Sequence, residues 1–177
     1  QMHLLHDSIL VYNAIPNDFA IKKLNLNQSK ETGKIEFETE DHRETYFYKE
    51  RGVMSANERY IVYAYFYKKQ IDIYDAKTMK LYKSLKDGDE EPFIRVGDFE
   101  GNDHYYVNVV AGEKQFYALC REKDSYVLEV FDYEGRPMVK YKFDVVPFLF
   151  DIDEEQQVLY GYNEGWEDYF LKYDLSI

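Results

Sequence analysis

The chain has 177 residues and a mass of 21.3 kDa, 45% of it hydrophobic, which is enough apolar material to bury a core. Its 22 lysines and arginines stand against 34 aspartates and glutamates, a net charge of -12 that disfavours nucleic acid and anionic membrane surfaces as partners. No apolar run approaches the roughly 20 residues of a membrane-spanning helix, Cys120 has no second cysteine for a disulfide, and no Cys/His cluster has zinc spacing.

Tyrosine occurs 19 times and phenylalanine 12, a balance that suits pleated sheets with aromatic and β-branched residues packed across strands. In chain order the first strand candidates are residues 3–5, 9–12, 21–25 and 34–37. The next four are 52–55, a strand opening at Ile61, 71–75 and 80–85. Then come 104–110, a strand opening at Phe116, 128–132 and 138–143, and finally 147–152, a strand opening at Val158, and 170–174. No window of 11 or more residues carries the apolar stripe of a helix, whereas segments such as Ile71-Asp72-Ile73-Tyr74 alternate with period two.

The strands repeat. In each unit a strand ends on an apolar or aromatic residue followed by Asn or Asp: Leu24-Asn25, Tyr74-Asp75, Phe131-Asp132 and Tyr173-Asp174. Counted from Ile9, Ile61, Phe116 and Val158, those apolar positions lie 15, 13, 15 and 15 residues on, and the pitch between units is 50, 57 and 42 residues. Four-stranded units at this period are propeller blades. The expected fold is all-β, a β-propeller or partial propeller of about four four-stranded antiparallel blades. A single domain over residues 1–177 would carry blades near 1–38, 52–86, 104–143 and 147–177.

The segment Tyr74-Asp75-Ala76-Lys77-Thr78-Met79-Lys80-Leu81 resembles the strand, Asp turn and next strand of TolB-like and quinoprotein-type β-propellers. The whole chain resembles the later blades of the TolB-like six-bladed propeller family of bacterial lipoproteins. That resemblance implies an exported protein, periplasmic or at the cell surface, with the cytosol as the alternative. Six blades need roughly 250 to 300 residues at this pitch, and the fourth unit stops at Ile177 where its last strand should begin. Three closures follow: the N-terminal strand at residues 3–5 completes a four-bladed ring, two chains pair as a homodimer through their open edges, or the blades belong to a longer parent. The hairpin spacing at both ends favours the last, with Gln1 a processed or cut start and association through the faces left by residues 9–12 and 158–162.

Asn25, Asp75, Asp132 and Asp174 read as turn-starting residues rather than as converging ligands, because Asp and Asn bond the backbone of the turn that follows them. The loops gathered at one end of such units are residues 14–18, 40–51, 67–70, 86–103, 121–125 and 163–168. They supply the candidate ligand-binding residues Arg95, Asp98, Glu100, His104 and Arg121, together with Trp166 and its neighbours Asn163, Glu167 and Asp168. Trp166 suits sugar stacking or a protein-interface anchor, or else caps the fourth unit. Asp98, Glu100 and Asp103 lack the spacing of a calcium loop, so a solvated acidic loop is expected. His104 has the chemistry of an acid or base, but no nucleophile sits at a recognisable offset from it. Cys120 is aligned with Tyr65 and Tyr162 as a core residue.

No catalytic set, metal-ligand set or cofactor motif is present, and the sequence specifies a fold more fully than an activity. The reading is a non-enzymatic module binding a protein or saccharide ligand. The alternative is a glycan-cleaving hydrolase or lyase, which requires loop carboxylates such as Asp98 and Glu167 to converge within about 5 to 9.5 Å.

Overall fold

The computed structural model describes residues 1–14, 18–37, 49–88, 94, 95, 97, 98, 101–166 and 169–176, and of Asp7 and Trp166 it describes the backbone alone. The first sheet holds β1 (Met2–Leu5), β2 (Ile9–Asn13), β3 (Ala20–Asn25) and β4 (Lys30–Glu36). The second holds β5 (Gly52–Ala56), β6 (Tyr60–Tyr65), β7 (Gln70–Asp75) and β8 (Leu81–Lys86). The third holds β9 (Tyr106–Ala111), β10 (Gln115–Glu122), β11 (Ser125–Asp132) and β12 (Pro137–Lys142), and the fourth holds β13 (Leu149–Asp153), β14 (Val158–Tyr162) and β15 (Leu171–Asp174). Every pairing is antiparallel between sequence neighbours, as hairpin-joined strands dictate. Among the described residues no helix is long and apolar enough to cross a membrane.

The sheets pack face to face in chain order and converge along their first strands, β1 on β5, β5 on β9 and β9 on β13, which is the arrangement of propeller blades. Alternation along the second strand of each sheet builds the core. Ile61, Tyr63 and Tyr65 of β6 meet Val11, Ile21 and Ile35 of the first sheet, while Val62 and Ala64 point the other way, toward Phe116, Ala118 and Cys120. Tyr117 and Leu119 of β10 then meet Leu159 of the fourth sheet. A strand covered on both faces reads as a continuous apolar run, and Tyr60–Tyr65 is one.

The turn reading of the repeated Asn and Asp holds in all four sheets. Asn25 Oδ1 accepts from the backbone N–H of Gln28 at 3.0 Å, Asp75 from Thr78 at 2.7 Å, Asp132 from Arg136 at 2.9 Å and Asp174 from Ser176 at 2.8 Å. Just before this turn β3, β7 and β11 each carry a register shift against the next strand, at Lys23/Leu24, Ile73/Tyr74 and Val130/Phe131. Such a bulge strengthens the twist that carries the last strand outward.

The register corrects two details. Leu24, Tyr74, Phe131 and Tyr173 pair with Leu10, Ile61, Phe116 and Leu159, so the alignment from Ile9 and Val158 slips by one residue in the first and fourth units. Cys120 therefore shares its position with Tyr65 but not with Tyr162, whose neighbours Leu159 and Gly161 lie on the opposite pleat. The N-terminal strand does not complete the fourth sheet, because residues 2–5 pair with residues 9–12 of their own sheet.

Candidate functional site

Tyr105 joins the second and third sheets through its backbone. Its N–H donates to Phe66 O at the end of β6, and its carbonyl accepts from Arg121 N–H on β10, both at 2.8 Å. Around this junction lies a cleft of about 700 Å³ lined by Lys69, Asn102, Asp103, His104 and Tyr105 and, from the β10–β11 turn, by Arg121, Glu122, Lys123 and Ser125. Glu122 pairs with Ser125 across β10 and β11, leaving Lys123 and Asp124 as a two-residue hairpin turn with Lys123 at a φ of 56°. That turn places Arg121 and Lys123 on the rim.

The 3.2 Å approach of Arg121 Nη1 to Nδ1 of His104 organises the site. A guanidinium only donates, so Nδ1 accepts and a neutral ring carries its proton on Nε2. Arg121 Nε also donates to Lys123 O at 3.1 Å, which fixes the guanidinium plane between a ring and a carbonyl. His104 is buried and packs against Phe66 and Tyr67, with ring centroids 4.8 and 5.4 Å away. The approach to the cleft is braced by Asn102, whose Oδ1 accepts from Arg95 N–H at 2.7 Å and whose Nδ2 donates to Arg95 O at 2.9 Å.

Among the described residues no carboxylate forms an ion pair with Arg121 or Lys123. Lys69 pairs with Asp87 at 3.1 Å, and Glu122 with Lys140 at 2.7 Å. The Asp87 carboxylate raises the pKa of Lys69, and the Lys140 ammonium holds that of Glu122 below its ordinary value. Burial raises the pKa of the Tyr105 phenol, so it too stays a donor at neutral pH.

The structure therefore brings together His104 and Arg121 of the candidate residues. Arg95 and Asp98 occupy the loop that leads to them, where Asp98 accepts from Gly101 N–H at 2.8 Å and lies 3.8 Å from Arg95. Asn163 stands apart at the end of β14, where it donates to Val146 O at 2.7 Å and caps the turn at Gly165, a structural role. Trp166 closes that short turn. Glu100, Glu167 and Asp168 and the side chain of Trp166 lie outside the described residues. Lys69, Asn102 and Lys123 were not singled out from the sequence, although the loops that carry them, residues 67–70, 86–103 and 121–125, were. Among the described residues no group of three His, Cys, Asp or Glu side chains is placed to hold a metal ion.

No protein-family model matches the chain, and no curated protein matches it by sequence. Solved structures do match. The WD40 domain of Toxoplasma gondii coronin is similar with a TM-score of 0.64 and 13% identity, over 93% of this chain and 40% of that one. Hydrazine synthase of Kuenenia stuttgartiensis is similar with a TM-score of 0.57 and 13% identity, over 87% of this chain and 38% of that one. BamB of Moraxella catarrhalis gives 0.56 and 7%, over 91% and 39%. The chain spans about two fifths of the length of these structures, and at such identities the likeness establishes the fold alone: four blade-like sheets of a β-propeller.

Proposed function

We propose that this chain is a non-enzymatic interaction module of an exported, TolB-like propeller protein, and that its loop-end cleft receives a carboxylate side chain from a protein partner. The observation that carries this reading is the held but unneutralised Arg121. Its plane is fixed by His104 and the Lys123 carbonyl, no described carboxylate pairs with it, and the Lys123 side chain stands on the same rim. A preorganised guanidinium offers its remaining donors to a carboxylate as charge-assisted hydrogen bonds, without the cost of ordering a free side chain. In a chain of net charge -12 the cleft lining carries Lys69, Arg121 and Lys123 beside Asp103 and Glu122, a mixed surface that favours recognition of one acidic group at Arg121 over general attraction of anions. No nucleophile–base pair faces the cleft among the described residues, so binding rather than turnover is what this geometry supports.

The test is fluorescence anisotropy with labelled peptides rich in Asp and Glu against neutral peptides of equal length. Acidic peptides should bind more tightly, Arg121→Ala should weaken them by about tenfold or more, and the remote Lys114→Ala should leave them unchanged. Equal binding of both peptide classes, an unaffected Arg121→Ala variant, or preference for an oligosaccharide panel would overturn the reading.

A further inference from the structure

The turn before β7 carries Lys69 into the Arg121 cleft, and the turn after it carries Ala76 and Lys77 into a second cleft, of about 440 Å³. The two clefts therefore lie at opposite ends of the sheets. The second is walled by the first two sheets, which pack on each other. Its remaining lining is Leu5, His6 and Ile9 around the β1–β2 connection, Lys23 of β3, Thr32 of β4 and Glu58 of the β5–β6 turn.

The floor is apolar, with Leu5 and Ala76 buried in the core cluster that the two sheets share and Ile9 packed against it. Beside that floor Lys23 supplies a fixed cation. Its ammonium donates to Ala76 O at 3.0 Å and to Lys77 O at 2.6 Å, so two of its three donors hold it in place and one remains. Among the described residues no carboxylate forms an ion pair with it, and the adjacent Lys22 takes Asp18 and Glu31 instead. The carboxylate of Asp75, which accepts from the backbone N–H and hydroxyl of Thr78, acts on Lys23 only through its field. Burial lowers the Lys23 pKa although that field pulls upward, the mark of a half-buried ammonium that an anion in contact would stabilise.

We propose that this cleft binds a small aliphatic carboxylate, with the carboxylate on Lys23 and the chain on Leu5, Ile9 and Ala76. An apolar cleft with a few placed polar groups and a volume between about 300 and 1,000 Å³ is the usual form of a small-molecule site. The charges of the lining select an anion: Lys23 and Lys77 stand against Glu58, and Glu58 is engaged by His6 Nδ1 at 3.1 Å. Thr32 is spent on the Lys23 carbonyl, to which its hydroxyl donates at 3.4 Å. That His6–Glu58 pair also selects a small occupant over a peptide. Its side chains are 60% and 68% exposed and join the first sheet to the second at the mouth, so a segment laid along the junction would have to break it.

Calorimetric titration of the 177-residue chain at pH 7 with octanoate, octanamide and acetate tests the proposal. Octanoate should bind at one site, and octanamide and acetate should bind at least about tenfold more weakly. Lys23→Met keeps the aliphatic stem and removes the ammonium, so it should reduce octanoate to the level of octanamide. Lys30→Ala removes an exposed ammonium of the same sheet outside the lining and should change nothing. Because Lys23→Met also takes the donor from two carbonyls, amide NMR shifts of the wild type give a readout that needs no variant. Octanoate should move Leu5, Ile9 and Ala76 and leave Arg121 and Lys123 in place. No octanoate binding, equal binding of octanoate and octanamide, shifts centred on the Arg121 cleft, or tighter binding of a peptide ending in leucine would each overturn the proposal.

Discussion

Asp72 and Glu129 occupy one position of the repeat, three residues before the turn-starting Asp75 and Asp132, and both are buried carboxyl groups, 5% and 7% exposed. Asp72 accepts from Tyr65 at 2.8 Å, from Ser84 at 2.6 Å, from Gln70 at 2.9 Å and from Tyr74 at 3.3 Å. Glu129 accepts from Tyr106 at 3.2 Å and pairs with Lys140 at 2.9 Å, and Lys140 stands opposite Glu129 as Ser84 stands opposite Asp72. Each carboxyl thus ties three strands of its sheet together where the apolar contacts are already saturated. Asp72→Ala strands the buried Tyr65 hydroxyl and should cost about 2 to 3 kcal/mol in urea unfolding, whereas Ser84→Ala should cost about 1. Equal, near-zero costs for both would show that the network does not brace the sheet.

Gly52 opens β5 against the ring of Tyr63 and the carbonyl of Ala64. A Cβ there would lie 2.6 Å from Ala64 O and 2.7 Å from the Tyr63 ring, while Tyr63 itself is fully buried. Gly52→Ala therefore overpacks the contact between the first two sheets and should destabilise by about 1 to 3 kcal/mol. Gly88→Ala probes a different cost, since Gly88 has a φ of 84° with nothing within 4 Å, so only backbone strain of about 1 kcal/mol is expected. A thermal shift larger for Gly88→Ala than for Gly52→Ala would sink this account.

The blade pattern was legible because two-sided burial writes itself as apolar runs, and because Asn25, Asp75, Asp132 and Asp174 punctuate the runs with turns whose backbone bonds all form. The same two-sided burial hid the register. When both pleats are apolar, the first apolar residue of a strand no longer says which face it takes, and Ile9 and Val158 were aligned one residue early. The site was legible only in part. Arg121 meets His104 through the β9–β10 hairpin, whose register shifts at Leu119/Cys120, and Lys69 arrives from the neighbouring sheet through the Tyr105–Phe66 bond. Neither the shift nor the cross-sheet bond has a local sequence signal.

Cys120 is the one thiol of the chain, wholly buried between the second and third sheets among Ala118, Val127 and Val62. Burial pushes its pKa up to about 12, so the reactive thiolate is scarce at neutral pH and the sulfur is sterically covered. Ellman's reagent at pH 8 should react with the native protein only at the rate of unfolding, and at full rate in guanidinium chloride. Prompt modification of the folded chain would show that the contact between the second and third sheets opens locally.

His3 ties β1 to β5 through a 3.2 Å hydrogen bond between Nε2 and the Met54 carbonyl, and burial lowers its pKa from the ordinary imidazole value although that bond and the Asp151 carboxylate pull upward. The unfolded chain then holds a proton on His3 over a window that begins near pH 6.5 and runs down to the lowered folded value. In that window the unfolded state binds more protons, so stability rises with pH and falls on acidification. The turn carboxylates act in the same direction in a lower window. Hydrogen bonds hold Asp75, Asp132 and Asp174 below their usual values, so their contribution is complete above about pH 4 and is lost as pH falls through the lowered values. The two windows separate the causes. Urea midpoints measured from neutral pH to about pH 5 should fall for the wild type and fall less for His3→Gln, while below about pH 4 the two curves should run parallel. Identical slopes above pH 5 would remove His3 from the acid response and leave the carboxylates alone.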